Sequence, residues 1–341
     1  MTFSLYDSVL RPLLFRIDPE EIHELVVAGL KMAQKTRSGL AALARWAAPP
    51  RGAPITVAGL QFPNRIGLAA GFDKNAVLIP AMAALGFGFV EVGTVTGRAQ
   101  PGNPRPRLFR YPQHQALVNR LGFNNLGAEA VAATLARLGP HPVPVGINLG
   151  KSAVTALDDA PAEYAASLRV LHPYGDYFTI NISSPNTKDL RKLHEPARLR
   201  SLLSEVRAVM TALGERPLFL KLSPDADDAD LVVAAELAAQ HGLGLIATNT
   251  SIGRSTALAG LEAGGLSGAP LRARSTAVVR LIRRAVGPAV PIIGAGGILD
   301  GADVDDKLLA GADLVQIYTG FVYRGPRAVA ALLSESARAR A

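Results

Sequence analysis

Two stretches near the C-terminus decide the fold: 290-VPIIGAGG-297 and 313-DLVQIYTG-320. Each opens on a continuously apolar run too short for a helix and breaks off into small or polar residues, as a strand buried on both faces does. The pattern recurs upstream as 66-IGLAAG-71, 89-FVEVGT-94, 143-VPVGINLG-150, 177-YFTINISS-184, 217-PLFLKLS-223 and 243-LGLIATNT-250, eight runs in all. Between them lie Ala- and Leu-rich helical stretches: 75-NAVLIPAMAALG-86, 126-LGAEAVAATLARLG-139, 160-APAEYAASLRVLHP-173, 197-ARLRSLLSEVRAVMTALG-214, 227-DDADLVVAAELAAQHG-242 and 275-STAVVRLIRRAVG-287. Several end in the glycine that commonly closes a helix. Strands alternating with helices over about 250 residues predict an α/β fold, a (β/α)₈ TIM barrel. An open doubly wound sheet is the alternative and usually has fewer strands.

Upstream, 53-APITVAGLQFPN-64 reads as a hairpin closing the barrel bottom. The division is an N-terminal helical extension over 1–45 and a barrel domain over 46–341. The extension holds 5-LYDSVLRPLLFR-16, whose regularity Pro12 limits, and 19-PEEIHELVVAGLKMAQK-35, opened by Asp18 and Pro19 as N-cap and first helical residue. The segment 39-GLAALARWAAPP-50 continues the helical cap. Leu5, Val9, Leu13, Ile22, Leu25, Val26 and Met32 give these helices an oily face, which packs on the barrel or meets lipid.

The chain has no cysteine, which excludes disulfides, thiolate nucleophiles and Cys-ligated metals. Its net charge of +8 invites anionic partners, but the Lys and Arg residues form no long run and do not interleave with aromatics, so nucleic acid is not expected. From Val92 to Ala128 there is no acid, yet Arg98, Arg105, Arg107, Arg110 and Arg120 occur. This is a solvated basic loop or an electropositive mouth. No apolar run spans a bilayer, and the N-terminus lacks signal-peptide character. The six histidines, His23, His114, His141, His172, His194 and His241, show no metal spacing, so no metal is expected.

Chemistry in a (β/α)₈ barrel sits at the carboxyl ends of the strands. Those ends carry Asp73, Lys74, Thr94, Asn148, Asn181, Ser183, Ser184, Asn186, Lys221, Thr248, Asn249, Thr250, Tyr318 and Thr319. A barrel selected only for stability has no reason to aim so many polar groups at one centre. The Gly-rich stretches 294-GAGG-297, 318-YTGF-321 and 264-GGLSG-268, read as loops after strands seven, eight and six, let backbone N–H groups approach a phosphate.

Taken together, 67-GLAAGFDKN-75, 91-EVGTVTGRAQPGNPRPRLFR-110, 118-VNRLGFNN-125, 146-GINLGK-151, 179-TINISSPNT-187, 246-IATNTS-251, 264-GGLSGAPL-271, 291-PIIGAGGI-298 and 315-VQIYTGF-321, with 18-DPEEIHEL-25 before them, resemble the class 2 dihydroorotate dehydrogenases. The resemblance implies oxidation of (S)-dihydroorotate to orotate in pyrimidine biosynthesis, with FMN as hydride acceptor and a membrane quinone as terminal acceptor. Ala70, Gly71, Lys74, Thr94, Asn148, Asn181, Lys221, Thr248, Gly268, Gly297, Tyr318 and Thr319 would hold FMN. Lys74, Asn119, Arg120, Leu121, Gly122, Phe123, Asn181, Asn186, Asn249 and Thr250 would bind dihydroorotate, for whose imide several amide side chains are apt. Ser184 would be the general base, with Thr187 assisting its proton. A serine base and the helical extension both distinguish this pattern from the cytosolic class, whose base is Cys. His23 and Arg110 would meet the quinone head group, and the extension would sit peripherally on the cytoplasmic face of the cell membrane. Thr319 stands where many relatives have Ser, which keeps the hydroxyl. The loop 187-TKDLRKLHEP-196 is a candidate lid. Rival readings are a Schiff-base lyase using Lys221, a sister flavin enzyme using fumarate or NAD, and a docked barrel without activity.

Overall fold

The computed structural model describes residues 6–47, 53–187 and 189–339. Backbone groups of strands buried on both faces find partners only in neighbouring strands, and here the ladder closes on itself. In chain order the strands are β1 (Ile55–Val57), β2 (Leu60–Phe62), β3 (Ile66–Leu68), β4 (Phe89–Thr96), β5 (Leu108–Tyr111), β6 (Ala116–Asn119), β7 (Val145–Gly150), β8 (Tyr177–Asn181), β9 (Leu218–Leu222), β10 (Gly244–Ala247), β11 (Gly265–Gly268), β12 (Ile292–Ala295) and β13 (Leu314–Ile317). Strands β3, β4, β7, β8, β9, β10, β12 and β13 pair in parallel in that order, and β13 returns to β3, giving a closed (β/α)₈ barrel. Each of the eight apolar runs supplies one barrel strand.

The helices fall where their apolar periodicity places them: Ala128–Leu138, Ala160–Leu171, Pro196–Leu213, Asp228–Gln240 and Arg272–Val286. The one read as starting at Asn75 starts instead at Ile79. The reason is local: the Asp73 carboxylate accepts from Val77 N (2.9 Å) and Leu78 N (2.7 Å), which holds the intervening residues in a loop.

The hairpin β1–β2 presses Val57 and Phe62 against Phe89, Tyr177, Phe219 and Leu314. These lie at or near the starts of their strands and form the barrel floor. Phe62 and Phe89 meet edge to face at 5.3 Å, as do Tyr177 and Phe219.

A second sheet differs from the sequence expectation. Strands β5, β6 and β11 form an antiparallel sheet over the carboxyl end of the barrel, so the stretch read as a basic loop contributes two short strands and the Gly-rich stretch 264–268 is largely strand. The β5–β6 turn runs through Gln115 in the left-handed region (φ +46°), and β11 ends on Gly268 (φ +93°), where a side chain would strike the Gln115 carbonyl.

The extension comprises a wide turn over Tyr6–Leu10, α1 (Arg11–Leu14), α2 (Pro19–Ala33) and α3 (Arg37–Ala47). Pro12 lies in the first turn of the short α1, which stops at once. Asp18 caps α2 by accepting from Glu20 N and Glu21 N. Leu5 and residues 48–50 lie outside the described residues.

Of the arginines in the 98–120 segment, Arg98 is exposed as in a solvated loop, Arg105, Arg107 and Arg110 bind the extension, and none lines the barrel cavity. Arg107 is buried and grips buried Glu20 of α2 through Nε (3.0 and 3.1 Å) and Nη2 (2.8 Å), while its Nη1 donates to the Pro101 and Asn103 carbonyls. Arg105 pairs with Glu24, and Arg110 donates to the Phe15 and Ile17 carbonyls. Cation and extension are thus stapled together. Leaving a buried ion uncompensated costs about 3–5 kcal/mol. Glu20→Ala should therefore lower unfolding free energy by about that amount, read by denaturant titration, and should speed proteolysis within residues 6–47.

Candidate active site

Above the aromatic floor the barrel interior turns polar. Glu91 of β4 is fully buried among apolar neighbours. It accepts from Asn148 Nδ2 (2.7 Å), Gln316 Nε2 (2.7 Å), Tyr177 Oη (3.2 Å) and Thr179 Oγ1 (3.2 Å). It also pairs with the Lys221 ammonium of β9 at 3.8 Å. Burial lowers the Lys221 pKa, and the Glu91 carboxylate opposes that shift.

A ring of amides and hydroxyls lies next. Asn181 Nδ2 donates to Thr94 Oγ1 and Asn148 Oδ1, both at 3.0 Å, and Thr94 donates to Asn148. Asn249 Nδ2 donates to Asn181 Oδ1 (3.2 Å) and Ser183 Oγ (3.0 Å). Every side chain in this ring is fixed by another.

The ring opens into a cavity at the carboxyl end of the barrel. Its walls bring together Ala70, Gly71, Lys74, Thr94, Asn181, Lys221, Thr248, Gly268, Gly297, Tyr318 and Thr319, and on the lid side Asn119, Leu121, Gly122, Phe123, Asn186, Asn249, Thr250 and Ser184. Asn148 is not on the wall; it braces Thr94 and Asn181 from beneath. Arg120 is not brought in either. Its guanidinium stacks 4.7 Å over Phe109, donates to the Pro106 carbonyl and pairs with exposed Glu262.

Ser184 is buried three residues past the end of β8, and its Oγ accepts from Asn186 N at 3.3 Å, so it shapes the turn as well as facing the cavity. Asn186 Nδ2 donates to the Asn119 carbonyl and Oδ1, both at 3.1 Å, joining the Ser184 turn to the lid sheet. Lys74 is driven down to about 8, mainly by burial, with Glu20 opposing and Arg107 reinforcing. The hydroxyls of Ser267 and Thr319 share a 2.8 Å bond beside Gly268.

Sequence reading missed Glu91, Gln316 and Ser267. A signal existed for the first two: an acid and an amide each interrupt an apolar barrel run, in 89-FVEVGT-94 and 313-DLVQIYTG-320. Gln316 Oε1 and Thr187 Oγ1 are buried without a hydrogen-bond partner. Gly297 (φ +75°) sits so close to Arg272 that a Cβ would lie 2.3 Å from its Cα.

A second cavity, mostly apolar, lies between the extension and the barrel. Ile22, Val26, Gly29 and Leu30 of α2 line it, with Phe72 and Phe321 opposite. His23 and Arg110 both face it. His23 meets Phe72 edge to face at 4.9 Å, and burial with the nearby Lys74 charge pushes its pKa down to about 3, so it is neutral. Arg110 lies 4.1 Å over the Phe15 ring. Tyr318, Leu108 and Leu117 belong to the walls of both cavities. Among the described residues, no group of three His, Asp or Glu side chains could hold a metal, and no helix is long and apolar enough to cross a membrane.

The family model for dihydroorotate dehydrogenase matches residues 53–338. Dihydroorotate dehydrogenase (quinone) of Delftia acidovorans is 49% identical over 97% of this chain and 97% of its own. That of Acidithiobacillus ferrooxidans is 51% identical over 96% of this chain and 93% of its own. Among solved structures, DHODH of Eimeria tenella in complex with ferulenol superposes with a TM-score of 0.83 at 34% identity, covering 93% of this chain and 90% of that one. With barrel, extension and sequence all matched across nearly their whole length, the chain belongs to the dihydroorotate dehydrogenase family.

Proposed function

We propose that this chain oxidises dihydroorotate to orotate in pyrimidine biosynthesis, passing hydride to FMN and the electrons onward to a quinone at the cytoplasmic face of the cell membrane. The observation that carries this reading is the pair of cavities, one polar and one apolar, sharing Tyr318, Leu108 and Leu117. A polar reductant and an oily oxidant then reach one redox centre from opposite sides.

The residues present fit a flavin mononucleotide. The orphaned Gln316 Oε1 and the Lys221 ammonium answer a heterocycle with both donor and acceptor edges. Gly268 and Gly297, held in left-handed conformations, leave room for a phosphate beside Thr319 and Ser267. When bound, the flavin supplies a two-electron acceptor that can hand electrons to a quinone.

This chain's groups do the rest. Lys221 places positive charge where negative charge develops. Thr94, Asn148 and Asn181 orient the ring edge through their mutual bonds. Lys74 meets the substrate carboxylate, while Asn119, Asn186, Asn249 and Thr250 read the cyclic amide; Arg120 contributes only backbone. Ser184 Oγ takes the proton from substrate C5 as hydride leaves C6, and passes its own proton toward solvent with buried Thr187 beside it. Because that proton must be shed, turnover rises with pH.

On the far side, neutral His23 and stacked Arg110 suit a quinone's carbonyl oxygens. The extension also carries Val9, Leu13, Ile17, Leu25 and Met32 exposed and away from the apolar cavity, five of the twelve large exposed apolar side chains among the described residues. The oily face is therefore two faces, one lining the apolar cavity and one turned outward, which supports peripheral binding to lipid.

Two outcomes test the assignment. Ser184→Ala should retain flavin yet lose about 10²–10⁴-fold in steady-state turnover; unchanged turnover removes Ser184 from the chemistry. Gly29 lines the apolar cavity, and a Cβ there meets nothing within 4 Å. Gly29→Phe should fill that space and cut quinone turnover roughly tenfold or more, while dihydroorotate still bleaches the flavin in a stopped-flow trace.

A further inference from the structure

The role of Glu91 is not exhausted by satisfying its neighbours. Its Oε2 already accepts from Gln316, Tyr177 and Thr179, all neutral donors. Its Oε1 accepts from Asn148 alone and faces Lys221 Nζ at 3.8 Å. A neutral acceptor would suffice for the first set. Only an anion compensates a lysine on β9 that is 5% exposed.

The other groups around Lys221 leave it no second counter-ion. Ile246 stands beside it on β10 and Asn181 on β8, Gln316 comes from β13, and Tyr177 is a buried phenol that burial keeps protonated. Lys74, the other lysine on the cavity wall, is itself a cation and offers no counter-charge. All four hydrogen-bonding groups on Glu91 donate to it, so none of them competes with Lys221 for a counter-ion.

We propose that Glu91 is a positioning residue for the reaction: sealed beneath the cavity, its carboxylate keeps Lys221 as an ammonium aimed at the flavin pyrimidine edge, so that the site is charged before electrons arrive. This rests on the flavin reading above. Two-electron reduction of the flavin to its anion takes up one proton, delivered with the substrate's hydride or from solvent. If Lys221 is already an ammonium, no further proton is needed. If Lys221 starts neutral, the anion draws a second proton from solvent onto Nζ. Buried lysines without a counter-ion fall to about 5–6, so removing the Glu91 charge brings this second proton into the measurable range.

The test is the dependence of the bound-flavin midpoint potential on pH, by spectroelectrochemistry of the purified holoprotein between about pH 7 and 9, above the unpaired-lysine range. The wild-type chain is expected to take up one proton per electron pair. E91Q, which keeps size and some acceptor capacity, is expected to take up two, doubling the slope. The double variant E91Q/K221M is expected to return to one, because no amine remains to titrate. A purely structural Glu91 would weaken folding or flavin retention without changing proton number, so E91Q with the wild-type slope overturns the proposal. A doubled slope that survives K221M also overturns it, since the second proton would belong to another group. Should E91Q fail to fold or hold flavin, E91D carries the test. It keeps the charge but draws it back from Nζ, and the second proton is expected at the alkaline end; an unchanged slope throughout overturns the idea. Wild-type chain that takes up no FMN overturns the functional reading itself, whereas a flavin that bleaches with dihydroorotate beside an unaltered E91Q slope overturns only the role of Glu91.

Discussion

A charge that cannot reach water must be answered by the protein, and in this barrel that constraint organises the interior. A (β/α)₈ core is ordinarily layered with branched aliphatics. Here the layer above the aromatic floor holds Glu91, Thr179, Lys221 and Gln316. Once an ammonium is placed there, a carboxylate follows, and once the carboxylate is buried, donors must fill its lone pairs. Asn148 serves both levels: it donates downward to Glu91 and accepts from Thr94 and Asn181 above. The amide ring that faces the ligand is thus rigid because its lower half is pinned to charge.

The same logic attaches the extension. Leu25 and Met32 of its helices point outward; Leu43 and Ala47 join the barrel's core, with Val27, Leu30 and Ala33 packed against it, and the rest of the inner side borders a cavity. What holds α2 against the barrel is a directional contact, Glu20 to Arg107, with Arg110 reaching two carbonyls before the helix begins. That leaves the space behind Ile22 and Val26 open for a hydrophobic molecule.

How much of this was legible in the sequence depends on whether a residue's meaning is local. Barrel strands announce themselves, because burial on both faces forces continuous apolarity, and their polar ends mark the site; Ser184, Asn181 and Lys221 were readable on those grounds. The lid sheet was not. Leu108–Tyr111 and Ala116–Asn119 are short, and their third partner, Gly265–Gly268, has almost no side-chain signal and lies far away in sequence. The arginines misled for the same reason: a cation's partner decides its role, and Glu20 lies in another element. Arg120, adjacent to true wall residues, turns outward because Phe109 and Glu262 offer its guanidinium a better seat. Glu91 was visible as an oddity in an apolar run, but only the closed barrel shows what it faces.

The lid sheet has a kinetic corollary. Its strand β11 leaves the chain after β10 and must cross back to β6, so that Asn119 Nδ2 bonds a carbonyl 146 residues further along. Closing so long a loop before the intervening strands have docked is entropically steep. The roof over the cavity therefore joins segments from either side of β7 to β10, and closes only once both are in place.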